Sequence, residues 1–136
     1  MSKQLEHAMQ KRLVKLAKIQ FASLIKRDIF HIQSDQNAEA RSPIRGKILK
    51  DLGMCAGTPD LQLTGYGARV LWLELKAPDK KRTAKQKEWH DKHIAMGHQV
   101  LWTDDEDRAW SIIATFAQEC EKVYKIAVNM AKGEAA

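Results

Sequence analysis

The segment LWLELK, residues 71–76, begins as an apolar strand and ends with two charged residues, Glu74 and Lys76. In an extended strand, residues two apart point to the same face, so these two side chains lie together, opposite Leu73 and Leu75. A buried charge whose partner is missing destabilises a protein by about 3 to 5 kcal/mol. The pair therefore calls for a partner group or a function at this end of the strand.

A second carboxylate is predicted to face this pair across a hairpin. Residues 61–64 alternate apolar and polar side chains, and GYG at 65–67 supplies a turn before the apolar strand. Antiparallel pairing around that turn puts Asp60 opposite residues 72 to 74, on the Glu74 face. Converging carboxylates repel each other unless a cation neutralises them, and such oxygen ligands suit Mg²⁺ or Mn²⁺. With Lys76 beside them to orient or deprotonate a water, the trio has the chemistry of phosphodiester hydrolysis.

The rest of the chain supplies the elements that must position this trio. Apolar residues recur at helical spacing near both ends, and short apolar runs between turn signals predict strands. The predicted elements are, in chain order, a helix from Lys3 to about Lys26, a strand over 29–32, a loop over 34–47 with a helical turn at 48–52, the hairpin, a helix between Thr83 and Gly97, a strand over 98–103, and a helix from about Asp105 to Met130. This order predicts one α/β domain over residues 1–136, with a small mixed sheet flanked by helices.

The charge balance favours a polyanionic partner. The chain carries 23 Lys and Arg against 17 Asp and Glu, and residues 1–50 hold 11 basic and 4 acidic side chains. A basic half of this kind favours nucleic acid over a membrane surface. We find no signal peptide and no transmembrane segment in the sequence, so we expect a cytoplasmic protein with no membrane partner.

The residues around the trio resemble a known nuclease motif. TPD at 58–60 followed by ELK at 74–76 resembles the PD-(D/E)xK motif. The flanking GMCAGTPDLQL, the Lys-rich loop, the helix carrying Gln86 and the GHQV step into a strand resemble the VRR-NUC family, in the stand-alone form typical of phages and bacteria. The resemblance covers most of residues 31–103 and implies a restriction-endonuclease-like core.

The resemblance also implies a role for each matching residue. Asp60, Glu74 and the backbone carbonyl of Leu75 would ligate Mg²⁺ or Mn²⁺. Lys76 would position or activate the attacking water, and Gln86 would hold the site from its helix. The family places an acidic residue on its first helix, which implies Glu6 as a further ligand here.

Basic side chains near the motif are expected to hold DNA phosphates. The expected contacts are Lys80, Lys81, Arg82, Lys85, Arg41 and Arg45. His31 and Asn37, with Arg41, resemble the family's polar stretch between the first helix and the PD motif, and the roles of His31 and Asn37 are left unassigned.

The function expected from the resemblance is a metal-dependent DNA endonuclease, homodimeric, acting on branched DNA such as a four-way (Holliday) junction and using no small-molecule cofactor. The alternative is a non-catalytic, basic nucleic-acid-binding module with the same fold. Two further alternatives stay open: Trp72 either walls the site or packs on the first helix, and His90 with His93 forms a helix-packing pair or, with a ligand not recognisable in the sequence, a zinc site.

Overall fold

The computed structural model describes residues 2–34 and 43–133. Within them the chain forms five helices and four strands. In chain order these are α1 (Ser2–Gln20), α2 (Ala22–Lys26), β1 (Phe30–Ser34), α3 (Pro43–Asp51), β2 (Leu61–Gly65), β3 (Arg69–Leu75), α4 (Ala84–Ala95), β4 (Gln99–Thr103) and α5 (Glu106–Ala131).

The four strands form one sheet in the order β1-β2-β3-β4. Strands β1, β2 and β3 are antiparallel neighbours, whereas β4 runs parallel to β3 and is reached through α4. Leu61 pairs with Leu73, so Asp60, which directly precedes β2, lies level with Glu74. The mixed sheet and the hairpin register are thus as the sequence predicts.

One face of the sheet is the hydrophobic core. Its strand residues alternate with the site residues along β2 and β3, and helices α1 and α5 pack on them. The buried leucines of these strands are Leu61, Leu63, Leu71, Leu73 and Leu75. The other face carries α4 at the β3 and β4 side, where the Trp72 and Trp89 rings meet edge to face with their centroids 5.2 Å apart.

Two predicted boundaries are wrong. The predicted first helix is interrupted at Phe21, between α1 and α2. The Phe21 N–H still donates to the Ala17 carbonyl, and the Phe21 carbonyl accepts from the Ile25 N–H. The loop predicted over 34–47 ends earlier, because α3 begins at Pro43 and continues to Asp51. Proline is compatible with the first turn of a helix, where its missing N–H has no partner to lose.

The later elements agree with the prediction. Thr83 caps α4 with a capping box, in which its side chain accepts from the Gln86 N–H and the Gln86 side chain accepts from the Thr83 N–H. Asp105 caps α5 through the N–H of Asp107, as expected for an acidic helix start. Among the described residues, each helix is either too short or too polar to cross a bilayer.

Candidate active site

Asp60 lies directly before β2, at the edge of β3. Its Oδ2 accepts a hydrogen bond from the Leu75 N–H at 2.9 Å. Because the N–H and C=O of one residue in an extended strand point to the same edge, the Leu75 carbonyl also faces Asp60. The contact orients the Asp60 carboxylate at the edge of β3.

The loop before Asp60 packs closely on the start of α4. Gly57 has a φ of +93°, and a Cβ placed there would lie 2.3 Å from the Lys85 carbonyl oxygen. Only glycine allows this backbone-to-backbone approach without displacement. The hydroxyl of Thr58, the next residue, donates to the Cys55 carbonyl at 2.8 Å. These contacts fix the position of Asp60 relative to Gln86.

Glu74 is a buried carboxyl group with an incomplete set of partners. Its residue is 1% exposed, and Oε1 has no hydrogen-bond partner. Burial, followed by the neighbouring Asp60 carboxylate, raises the pKa of Glu74 to about 10, against a smaller opposing effect of Lys76. At neutral pH the site therefore holds a proton on Glu74 unless a cation takes its place.

Gln86 connects Glu74 to Lys76. Its Oε1 accepts from the Lys76 ammonium at 3.2 Å and from the Thr83 N–H at 2.8 Å. Two donors at Oε1 fix the orientation of the amide, so Nε2 faces Glu74 and donates to its Oε2 at 3.2 Å. The helix cap and the site thus share one side chain, which explains how α4 holds Gln86 in position.

Lys76 is buried and lies next to an acidic residue from α1. It is 7% exposed, and its Nζ is 3.9 Å from the Glu6 Oε1. The structure therefore brings Glu6 to the site as a partner of Lys76. Within residues 2–34 and 43–133, no three Asp, Glu, His or Cys side chains converge closely enough to hold one metal ion.

The donors at the site nevertheless fit a divalent ion. They are the Asp60 carboxylate, the Glu74 carboxyl group with its unpartnered Oε1, and the Leu75 carbonyl. Oxygen donors of this kind match Mg²⁺ and Mn²⁺, which bind through one or two carboxylates and leave other positions to solvent and substrate. The convergence of two carboxyl groups favours a cation here, because a positive charge would relieve the repulsion that, after burial, raises the pKa of Glu74.

The basic residues expected to bind DNA fall into two groups. Lys80, Lys81 and Lys85 are exposed around the start of α4, and Arg45 is exposed on α3. Arg41, like Asn37, lies outside the described residues.

Arg82, in contrast, is partly buried and contacts two side chains of the protein. Its Nη1 lies 3.0 Å from the His90 Nδ1, and its guanidinium lies 5.2 Å from the centre of the Trp102 ring. Trp102 pairs with Glu74 in the sheet register, so Arg82 anchors the loop between Lys76 and Gln86 beside the site.

The H-x-x-H pair on α4 serves packing. Because a guanidinium only donates, the His90 Nδ1 accepts from Arg82. Burial, and then the positive charge of Arg82, lower the pKa of His90 to about 4. The His93 ring stacks on Trp89, and its Nδ1 donates to the Trp89 carbonyl at 2.8 Å. Trp72 contacts Trp89 of α4, a helix that neither alternative for Trp72 named.

Two features of the site were not predicted. The sequence offers one indication of the Gly57 contact with α4, namely a glycine shortly before the PD dipeptide. The indication of the contact between Arg82 and His90 is weaker: His90 lies one helical turn after Gln86, so the two residues share one face of α4. His31 lies exposed on β1.

Comparison with known structures identifies the fold. A solved structure described as a VRR_NUC domain protein has 23% sequence identity to this chain and a TM-score of 0.57, over 82% of this chain and 86% of that one. Another, described as a VRR_NUC domain, has 16% identity and a TM-score of 0.50, over 81% of this chain and 95% of that one. No family model and no curated protein matches the sequence. The chain therefore has the fold of VRR_NUC domains, as the motif predicts.

Proposed function

We propose that this protein is a VRR-NUC-type, metal-dependent DNA endonuclease. The observation that carries the proposal is the convergence of Asp60, Glu74 and Lys76, joined by the Gln86 amide, at one end of the sheet. A buried glutamic acid with an unpartnered oxygen destabilises the fold. A catalytic role for Glu74 together with Lys76 explains why such a residue is present here. The VRR_NUC fold supports the same reaction class.

Each residue of the site would have a separate role in the reaction. Asp60, Glu74 and the Leu75 carbonyl would hold Mg²⁺ or Mn²⁺, which supplies positive charge to the phosphodiester and makes water more acidic. Glu74 would lose its proton when the cation enters, because the positive charge reverses the effect of Asp60 on its pKa. Lys76, oriented by Gln86 at 3.2 Å, would donate from Nζ to the attacking water or to a phosphate oxygen.

The exposed lysines on either side of Thr83 would bind the DNA backbone. Lys80, Lys81 and Lys85 lie within a few residues of Gln86, so phosphates held there would flank the scissile bond. Such contacts are independent of sequence and weaken with salt. The homodimer and the preference for branched DNA rest on the resemblance to stand-alone VRR-NUC proteins and stay predictions.

Cleavage of a defined set of substrates tests the proposal. Labelled single-stranded, duplex, flap and four-way DNA would be incubated with the protein in Mg²⁺, in Mn²⁺ and in EDTA. We expect products with either metal and none in EDTA. Binding to these substrates without any metal-dependent product would contradict the proposal and favour the non-catalytic binding module.

A further inference from the structure

Helix α1 carries a stripe of lysines that the active site does not use. Lys3, Lys11 and Lys18 are separated by eight and seven residues, close to two helical turns each, and Lys15 lies one turn from the last two. All four side chains are exposed. We name Lys3, Lys11, Lys15 and Lys18 the α1 lysine stripe.

The stripe concentrates the positive charge of the chain. Helix α1 holds five basic residues and one acidic residue, so it contributes a net +4 to a chain whose formal charge is +6. The acidic residue, Glu6, faces Lys76 in the site. No ion pair joins a stripe lysine to another residue in the described part of the chain. A solvated helix face usually mixes charges of both signs, and this one carries a single sign.

The stripe begins at the active site and runs away from it. The Glu6 Oε1 lies 3.9 Å from the Lys76 Nζ, and Lys3 is one helical turn before Glu6. From Lys3 to Lys18 the helix extends about 22 Å at 1.5 Å per residue. That length corresponds to about six or seven base pairs of DNA, at 3.4 Å per pair.

We infer that the α1 lysine stripe binds the phosphate backbone of the duplex arm that leads away from the scissile bond. The inference rests on the proposed nuclease function for the direction of the arm. It extends the substrate footprint beyond the loop lysines near Gln86, and it makes affinity depend on the length of duplex on one side of the cleaved bond. The shared chemistry is a row of phosphates facing a row of ammonium groups.

Arg12 offers a matched control on the same helix. It lies about 60° around the helix from Lys15. What distinguishes it from the stripe lysines is that its guanidinium forms a bidentate ion pair with Glu106, at 2.7 and 3.0 Å. Two lysines of α5, Lys122 and Lys125, with Lys132 at its C-cap, give a control matched for charge, which we call the α5 triple. They lie toward the end of the sheet opposite Glu74, where Tyr124 contacts Tyr66 of the hairpin turn.

The salt dependence of DNA binding tests the inference. Affinity for a fluorescent 20-base-pair duplex would be measured in EDTA at several KCl concentrations. The stripe variant carries Lys11→Gln, Lys15→Gln and Lys18→Gln together. It would be compared with the wild type, with Arg12→Gln and with the α5 triple Lys→Gln variant. Each lost phosphate contact lowers the slope of log K against log salt by about 0.9. For the stripe variant we expect the magnitude of this slope to fall by about 2 to 3. Both control variants should keep the wild-type slope. Gln has nearly the helix propensity of Lys, so folding should be unaffected, which circular dichroism checks.

Other outcomes separate this inference from the proposed function. An unchanged slope in the stripe variant, or an equal loss in the α5 variant, overturns the inference even if the wild type cleaves DNA. A reduced slope without metal-dependent cleavage supports the stripe and contradicts the nuclease. Binding of the wild type to vesicles containing phosphatidylserine, with no binding to duplex, overturns the inference in favour of a membrane surface.

Discussion

The carboxamide of Gln86 lies between Glu74 and Lys76, with Nε2 3.2 Å from the Glu74 Oε2 and Oε1 3.2 Å from the Lys76 Nζ. The backbone N–H of Thr83 fixes which way the amide points. One helix cap therefore sets the relative position of the carboxyl group and the ammonium group. This relationship makes Gln86 the residue through which α4 acts on the site.

Gln86→Glu is expected to impair cleavage strongly. The substitution keeps the size of the side chain but puts an oxygen where Nε2 donates to Glu74, and it adds a negative charge beside two carboxylates. Residues that orient metal ligands typically contribute 10- to 100-fold to metal affinity or activity. We expect a loss of about that size in single-turnover cleavage rate. Gln99→Glu, on an exposed residue at the far end of β4, is the control and should cleave at the wild-type rate.

Glu74→Gln is expected to stabilise the metal-free protein. The pKa of Glu74 is raised from 4.5 to about 10 in the folded state. Its contribution to stability is thus fully present below about pH 4.5 and is lost as the pH rises toward 10, because only the unfolded chain releases the proton. The stability gain of Glu74→Gln over the wild type should increase with pH, by up to about 1.4 kcal/mol per unit.

Urea denaturation in EDTA between pH 5 and pH 8 measures this difference. The lowered pKa of His90 reduces stability as the pH falls from its ordinary value of 6.5 toward about 4, but both proteins share it and it cancels. Parallel stability profiles of wild type and variant would show that Glu74 is not held protonated.

Divalent ions should raise the melting temperature. A ligand at 100 times its Kd stabilises the folded state by about 2.7 kcal/mol, which corresponds to several degrees for a domain of this size. Differential scanning fluorimetry with Mg²⁺ and Mn²⁺ should show this shift for the wild type and not for Asp60→Asn. Asp91→Asn removes an exposed carboxylate of α4 and should respond as the wild type does. A shift of equal size in Asp60→Asn would place the ion elsewhere.

Gly57→Ala and Gly97→Ala should differ sharply. Both glycines have a φ of +93°, so both variants carry the same backbone strain. A Cβ at position 57 meets the Lys85 carbonyl at 2.3 Å, whereas nothing lies within 4 Å at position 97. We expect Gly57→Ala to lose at least about 1 kcal/mol more in free energy of unfolding and to lose cleavage, because Asp60 moves away from α4. Equal losses in both variants would mean that the Gly57 contact does not position the site.

Much of the fold and the centre of the site follow from local rules. The alternation of side chains along a strand fixes that Glu74 and Lys76 share a face, and the turn position fixes Asp60 opposite them. Both inferences need only short-range geometry. Thr83 as a cap likewise depends on residues within one turn.

The remaining features depend on contacts between segments that are distant in sequence. The start of α3 at Pro43 was missed because proline and glycine in one polar stretch resemble a loop. The Gly57 contact with Lys85 and the Glu6 side chain at Lys76 each join elements whose packing no local pattern encodes. The family resemblance indicated Glu6, but only the folded chain gives it Lys76 as its neighbour.

The most direct test of the nuclease function is the cleavage of supercoiled plasmid in Mn²⁺ by the wild type and by Lys76→Met, purified identically. Methionine keeps an unbranched apolar stem like that of lysine and removes the ammonium group, so binding through the exposed lysines should persist while the chemistry is lost. We predict nicked and linear products from the wild type, none in EDTA, and a rate at least about 100-fold lower for Lys76→Met at unchanged DNA affinity. Equal cleavage by both proteins, or DNA binding by the wild type with no metal-dependent product, would contradict the account.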